Sequence, residues 1–271
     1  MKTRTILVGL FILMFTSPFF GQDVKNIRFG MLIDPQLDWE RSGNTKLYTH
    51  DGINGKFGFG LSMEFKITDV VHFQTGIGGT FSGGGEKYTN SDTVGYVTDH
   101  AGNPIKISDL NSSASTRNNP SNYVYRLIHR QYKTSYVTIP VLLKMMTKPI
   151  GPLKYFGQFG GNLEILTKAN ADDIVTKDFT TSNTMTNSAI NIYSDCIPVK
   201  ASLNVGAGAE YNISGSTSLV VSLNYLRSFT SLTKGTSEYL VDSSTSTPGT
   251  LVGLAHKIYG DGLALSIGIM F

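Results

Sequence analysis

The side chains best suited to acid–base chemistry are His50, Asp51, His100, His129, His256 and Asp261. A general acid and its base, or a nucleophile and its base, must come within hydrogen-bond reach, and a sequence advertises this only through recognisable local spacing. These six show no such spacing, being scattered over several polar segments. No histidine stands at metal-ligand spacing from Cys196 or from a carboxylate. Gly76-Ile77-Gly78-Gly79 and Gly206-Ala207-Gly208 lie inside alternating segments rather than ahead of a helix, so neither is a phosphate loop. The expectation is a protein that is not an enzyme, with no catalytic, cofactor-binding or metal-binding residues and no cofactor.

A second set of charges is regularly placed. Arg28, Lys66, Lys144, Lys154 and Lys200, with Asp34, Asp38, Glu64, Glu164 and Glu210, alternate with apolar neighbours. In a strand, residues two apart share a face, so these charges would share one side of a sheet. Facing residues of an antiparallel pair have a constant sum. The numbers of Lys154 with Glu210 and of Glu164 with Lys200 both sum to 364, so one register pairs both, and it sets Asn162 against Ser202. Arg28 with Glu64 is the analogous candidate one ladder away. Charge removed from water is costly unless paired, so the expected role of Arg28, Glu64, Lys154, Glu210, Glu164 and Lys200 is structural: ion pairs that fill an enclosed interior. The alternative is that each charge is hydrated separately in a wet lumen.

The elements that would hold these charges are eight segments of period-two alternation, at about 27–38, 55–67, 70–81, 131–146, 153–167, 198–211, 217–227 and 261–271. They run to about 11–17 residues, where globular strands average nearer 5 or 6 and tilted membrane strands need about 9–11. Three connections are tight turns, at 68–69, 148–152 and 212–216; the other four, at 39–54, 82–130, 168–197 and 228–260, are long and rich in Ser, Thr, Asn and Gly. This predicts an all-β fold: an eight-stranded antiparallel up-and-down transmembrane β-barrel with short periplasmic turns and long extracellular loops. An even strand count places both termini in the periplasm.

The two faces differ in chemistry. Leu263, Leu265, Ile267, Ile269 and Phe271 alternate with Gly262, Ala264, Ser266, Gly268 and Met270, and Phe57, Phe59, Leu61, Met63 and Phe65 with Gly58, Gly60, Ser62, Glu64 and Lys66. Eight strands enclose room only for side chains or one small ligand, which suits the small and polar set. Phe65, Phe73, Tyr155, Tyr211 and Phe271 fall toward the short-turn ends of the apolar face, and Trp39, Phe57, Phe81 and Tyr225 toward the other rim. Two such belts match the aromatic girdles at membrane interfaces.

The first residues, Met1-Lys2-Thr3-Arg4 followed by an apolar run from Ile6 to Phe15, read as a signal peptide over 1–21, leaving 22–271 as the barrel domain. The run is about ten residues, short of the roughly 20 that a spanning helix needs. Formal net charge is +3, and without Lys2 and Arg4 the balance is 21 basic to 20 acidic, so nucleic acid is not an expected partner. Cys196 is the single cysteine, so no internal disulfide is available, and an unpaired surface thiol is the expectation. The near-zero mean hydropathy, −0.04, is what strands with one lipid-facing side produce.

Tyr136-Val-Thr-Ile139-Pro140-Val-Leu-Leu-Lys144, the Gly-rich Tyr155-Phe156-Gly157-Gln158-Phe159-Gly160-Gly161, and Asn204-Val-Gly206-Ala-Gly208-Ala-Glu210-Tyr211 together resemble the outer-membrane β-barrel domain family of Bacteroidota, the PorT-like (porin-like) outer membrane proteins. The resemblance spans most of the chain after the leader and implies the barrel fold and the cell outer membrane. It also implies a link to secretion by the type IX system for its named member, while most relatives have no known activity. Pro140 lacks an N–H and is predicted to sit at a bulge or ladder break. The function expected is a structural or assembly and secretion-accessory barrel with a side-chain-filled lumen, not a catalyst or wide pore. The alternative is a surface receptor or adhesin using Tyr48, Tyr88, Tyr96, Tyr123, Tyr125, Tyr193 and Tyr239 of the long loops. Expected partners are outer-membrane lipid and a protein in the outer membrane or periplasm.

Overall fold

The computed structural model describes residues 26–43, 45, 48–88, 93–177, 183–247 and 249–271. The expected signal peptide lies outside the described residues. Among the described residues the chain is all-β, one antiparallel sheet of fourteen strands. These are β1 (Ile27–Ser42), β2 (Tyr48–His50), β3 (Asn54–Lys66), β4 (Val71–Ser82), β5 (Gly85–Tyr88), β6 (Val94–Thr98), β7 (Tyr123–Met146), β8 (Leu153–Lys177), β9 (Thr184–Asn191), β10 (Val199–Ser214), β11 (Thr217–Ser228), β12 (Thr236–Asp242), β13 (Gly253–Ala255) and β14 (Ile258–Met270). Among the described residues, helix is limited to α1 (Ile107–Ser112), α2 (Ala114–Arg117) and one 3-10 turn at Tyr193–Asp195.

Eight strands form a circuit. β1 pairs with β3, β3 with β4, β4 with β7, β7 with β8, β8 with β10, β10 with β11 and β11 with β14, and β14 returns to β1. The expected even eight-stranded barrel is corrected here, because the circuit does not close evenly. β7 and β8 run for 24 and 25 residues, the other six for 12 to 16. The remaining six strands extend the same sheet beside this overhang: β5 and β6 pair with β7, β9 with β8, β12 with β6, β13 with β12 and β2 with β5. In β5 and β9, Gly, Glu, Lys, Asn, Ser and Ala disfavour a strand, and pairing against the overhanging hairpin overrides that preference.

Opposite the overhang the connections are tight. Gly151 and Gly215 take φ of +63° and +56°, which a residue without a Cβ adopts at no steric cost. The Thr68 hydroxyl accepts from the Val70 and Val71 amides, closing the β3–β4 turn. At Pro140 the β4–β7 ladder passes from Thr75↔Val141 to Gly78↔Thr138 with two positions unpaired and the register unchanged, while on the other edge Pro140↔Asn162 continues the β7–β8 ladder. The missing donor therefore costs a local break and no bulge.

The outward face is apolar and bare. Phe29, Met31, Ile33, Phe59, Ile77, Phe159, Val205 and Leu265 are all exposed, with Leu61 59% and Leu223 56% accessible. The inward face is polar and buried, down to 1% for Glu64 and Lys144. A water-soluble protein does not leave so continuous an apolar band in solvent. The enclosed space is narrow: a methyl group on Gly206 would overlap the Asn224 side chain, so only glycine fits.

A second core sits at the overhang, where Tyr48, Tyr88, Val94, Tyr96, Leu127, Tyr132, Val175, Cys196, Leu240, Leu254 and Ile258 pack together. This corrects three expectations. Tyr48, Tyr88 and Tyr96 are buried rather than presented on the surface, whereas Tyr193 is exposed. Cys196 is not a surface thiol, because the overhanging hairpin and its added strands cover it. His256, expected in a polar segment, is likewise buried.

Candidate functional site

Alternation turns Arg28 of β1, Glu64 of β3, His72 of β4, Lys144 of β7 and Glu210 of β10 toward the same interior level near the short turns. Arg28 Nη1 lies 3.2 Å from Glu64 Oε1 and 2.9 Å from Glu210 Oε2. Lys144 Nζ lies 2.9 Å from Glu64 Oε2 and also contacts Glu210 Oε1, and His72 Nδ1 is 2.6 Å from Glu64 Oε1. The Lys144 ammonium is also 4.2 Å from the Phe156 ring centroid, an additional attraction for the cation. β10 neighbours neither β7 nor β1, so the Glu210 contacts cross the enclosed space. Lys154 stands opposite Glu210 in the ladder, as the equal sums require, yet the Glu210 carboxylate is taken up by Lys144 and Arg28 instead. Lys66, expected inward, pairs at 2.6 Å with Asp69 of the turn.

Above this layer the interior is amide and hydroxyl. Gln158 Nε2 donates to Asn224 Oδ1 at 2.6 Å, and Asn224 Nδ2 donates to Ser222 at 3.1 Å and Ser266 at 2.9 Å. Higher still, Lys200 Nζ is 2.7 Å from Glu164 Oε2, Ser202 donates to the same carboxylate at 2.8 Å, and the Lys200 ammonium lies 4.6 Å from the Tyr136 ring centroid. Ser82 donates to Asp38 at 3.0 Å. A cavity of about 130 Å³ remains among these side chains, lined among others by Asp38, Glu40, Lys200, Asn204 and Asn224. His72, Gln158 and Asn224 are interior residues that charge spacing did not single out; their even-numbered positions opposite Lys144, Gly206 and Ala264 were the available signal.

At the overhang, Glu86 Oε2 is 2.7 Å from His256 Nε2, which also meets the Tyr88 and Tyr132 hydroxyls at 3.3 and 3.4 Å. Arg130 and Asp173 form a buried bidentate pair with both distances 2.7 Å. Burial pushes the Cys196 thiol up to about 12 and the Tyr88 phenol well above its ordinary range. A thiol held that far above neutrality is a poor nucleophile.

Of the acid–base candidates, the structure brings His129 and Asp51 together as one pair and leaves the others apart. His50 is exposed, His100 stacks against Tyr123 with centroids 6.4 Å apart, His129 pairs with Asp51 at 2.8 Å, and Asp261 pairs with Arg41 at 3.2 Å. Among the described residues, no group of three or more His, Cys, Asp or Glu side chains is arranged to hold a metal ion.

An antiparallel sheet that is apolar outside and charged within defines a class, the β-barrel proteins of the outer membrane. Residues 23–234 match the family model described as "Outer membrane protein beta-barrel domain", and the chain belongs to that family. Its location is the outer membrane. Similar solved structures include Neisserial surface protein A, 11% identical over 90% of this chain and 97% of that one, with a TM-score of 0.35. The attachment invasion locus protein Ail of Yersinia pestis is 12% identical over 91% and 99%, with a TM-score of 0.31. The outer membrane protease OmpT of Escherichia coli is 10% identical over 94% and 99%, with a TM-score of 0.36. These likenesses extend no further than the fold. No curated protein matches the chain.

Proposed function

We propose that residues 22–271, after removal of a leader at 1–21, act as an eight-stranded transmembrane barrel of the PorT-like branch found in Bacteroidota. The short turns face the periplasm and the long loops face outward. The barrel serves as a structural or assembly and secretion-accessory component, in contact with outer-membrane lipid and with a protein partner in the outer membrane or periplasm. It is neither an enzyme nor a wide pore. The observation that carries this reading is the interior contact of Glu210 with Lys144 and Arg28, which ties together strands that are not neighbours. Charges so engaged are plug, not pore lining.

Two measurements test it. Purified protein in planar bilayers is expected to show no steady conductance, and a stable open level would refute the plug. A deletion strain is expected to lose secreted cargo, and a stoichiometric partner is expected to co-purify from outer-membrane extracts. Normal secretion together with no partner would favour the second reading, a surface receptor or adhesin. That reading draws support from the packed core at the overhang, which gives the long loops a rigid base for presenting Tyr193 and its neighbours.

A further inference from the structure

We infer that the upper part of the interior cavity, around Asp38 and Glu40, is a binding site for a small organic cation bearing an ammonium or guanidinium group. The cavity is lined by five carboxylates, Asp34, Asp38, Glu40, Glu164 and Asp261, and by two lysines, Lys144 and Lys200. Both lysines are committed: Lys144 to Glu64 and Glu210, and Lys200 to Glu164. Arg41 engages Asp261. Among the described residues no basic side chain forms an ion pair with Asp34, Asp38 or Glu40, three acids that alternate along the inward face of β1.

The second observation concerns unmade hydrogen bonds. Glu40 is 4% and Asn204 8% accessible, and Glu40 Oε2, Asn204 Oδ1 and Asp261 Oδ1 are buried without a partner, all on residues that line this cavity. All three are acceptors. Buried polar groups are ordinarily satisfied, so a set of orphan acceptors beside excess negative charge calls for a ligand rich in N–H donors and poor in acceptors. Ammonium and guanidinium groups have that character. A divalent metal does not fit, because among the described residues no three carboxylates converge. The layer of Arg28, Glu64, Lys144 and Glu210 lies on the short-turn side of the cavity.

The test is calorimetric titration of the full-length folded barrel in detergent micelles with agmatine, which carries one guanidinium and one ammonium group. Saturable one-to-one binding is expected. Glu40→Gln and, independently, Asp38→Asn are expected to weaken it at least about tenfold, the loss of a charge-assisted hydrogen bond. Lys133→Ala at the exposed face of β7 is expected to leave binding unchanged, and shifted electrophoretic mobility without boiling verifies that each variant is folded. Absence of saturable heat at about 10 mM agmatine, a weaker threshold than most specific sites require, would overturn the proposal. So would unchanged affinity in both folded carboxylate variants. Either result would mean that only water satisfies these acceptors.

Discussion

Replacing Lys144 with methionine removes one of the two cations, the other being Arg28, that bridge Glu64 and Glu210. The aliphatic stem is largely preserved, so the change isolates the ammonium. Lys144 is 1% and Glu64 1% accessible, and Nζ reaches both carboxylates. Two buried carboxylates then share Arg28 and His72. Deleting one partner of a buried pair costs about 3–5 kcal/mol, because the charge left behind is uncompensated. Here Arg28 and His72 still serve Glu64, which places the expectation near the lower end, about 3 kcal/mol. Urea unfolding in lipid vesicles, followed through the fluorescence of Trp39, the only tryptophan, measures this directly. The double variant Lys144→Met with Glu210→Gln is expected to recover roughly 2 kcal/mol of the loss, since the stranded charge is gone. A loss below about 1 kcal/mol for the single variant, with no recovery in the double, would refute the view of this layer as a paired plug.

Further outcomes follow from other parts of the structure. Leu223→Arg, which places a charge on the outward face, is expected to destabilise the barrel in lipid by about 2–4 kcal/mol, and an effect near zero would mean that this face does not meet the bilayer interior. Lys133→Ala, which removes an ion pair with Asp172 from a half-exposed site, is expected to cost less than about 1 kcal/mol in the same assay. The Cys196 thiol is expected to resist maleimide in the folded protein at pH 8 and to react after unfolding; rapid labelling of folded protein would contradict its burial. Hydrogen bonds from Lys234 and Lys106 hold the Glu238 carboxyl below its ordinary range. Its contribution is therefore present above the unfolded value of 4.5 and lost as pH falls through the lower folded value, so Glu238→Gln should flatten the acid side of the loop core's stability profile, by less than about 1 kcal/mol for so exposed a group.

The sequence made the long strands legible because alternation doubles as an address. Each residue on β3 or β14 belongs to one face, and composition separates the two. Ladder partners were equally accessible, since Glu164 opposite Lys200 and Arg28 opposite Glu64 need only a constant sum. The partner of Glu210 was not. The sum rule sees only adjacent strands, whereas in a narrow ring a side chain reaches across to β7 more readily than along the wall to Lys154. The overhang was illegible for a different reason. Segments such as 82–130 are polar on average, and the burial of Tyr48, Tyr96 and Cys196 arises from the extra length of β7 and β8, which local pattern does not encode.

The pairing of β14 with β1 has a consequence for how the molecule is made. Ile33 meets Ile267, more than 200 residues along the chain, so the ring has a seam that only the last strand can close. Until it does, two long strand edges carry unpaired backbone groups beside an apolar wall, the situation that invites pairing with another chain. The seam is also the contact of longest range, the slow kind in folding. Successful assembly is therefore a race between zipping β14 onto β1 and losing either edge to a neighbour, and a short delay in delivering the final strand would be enough to change the winner.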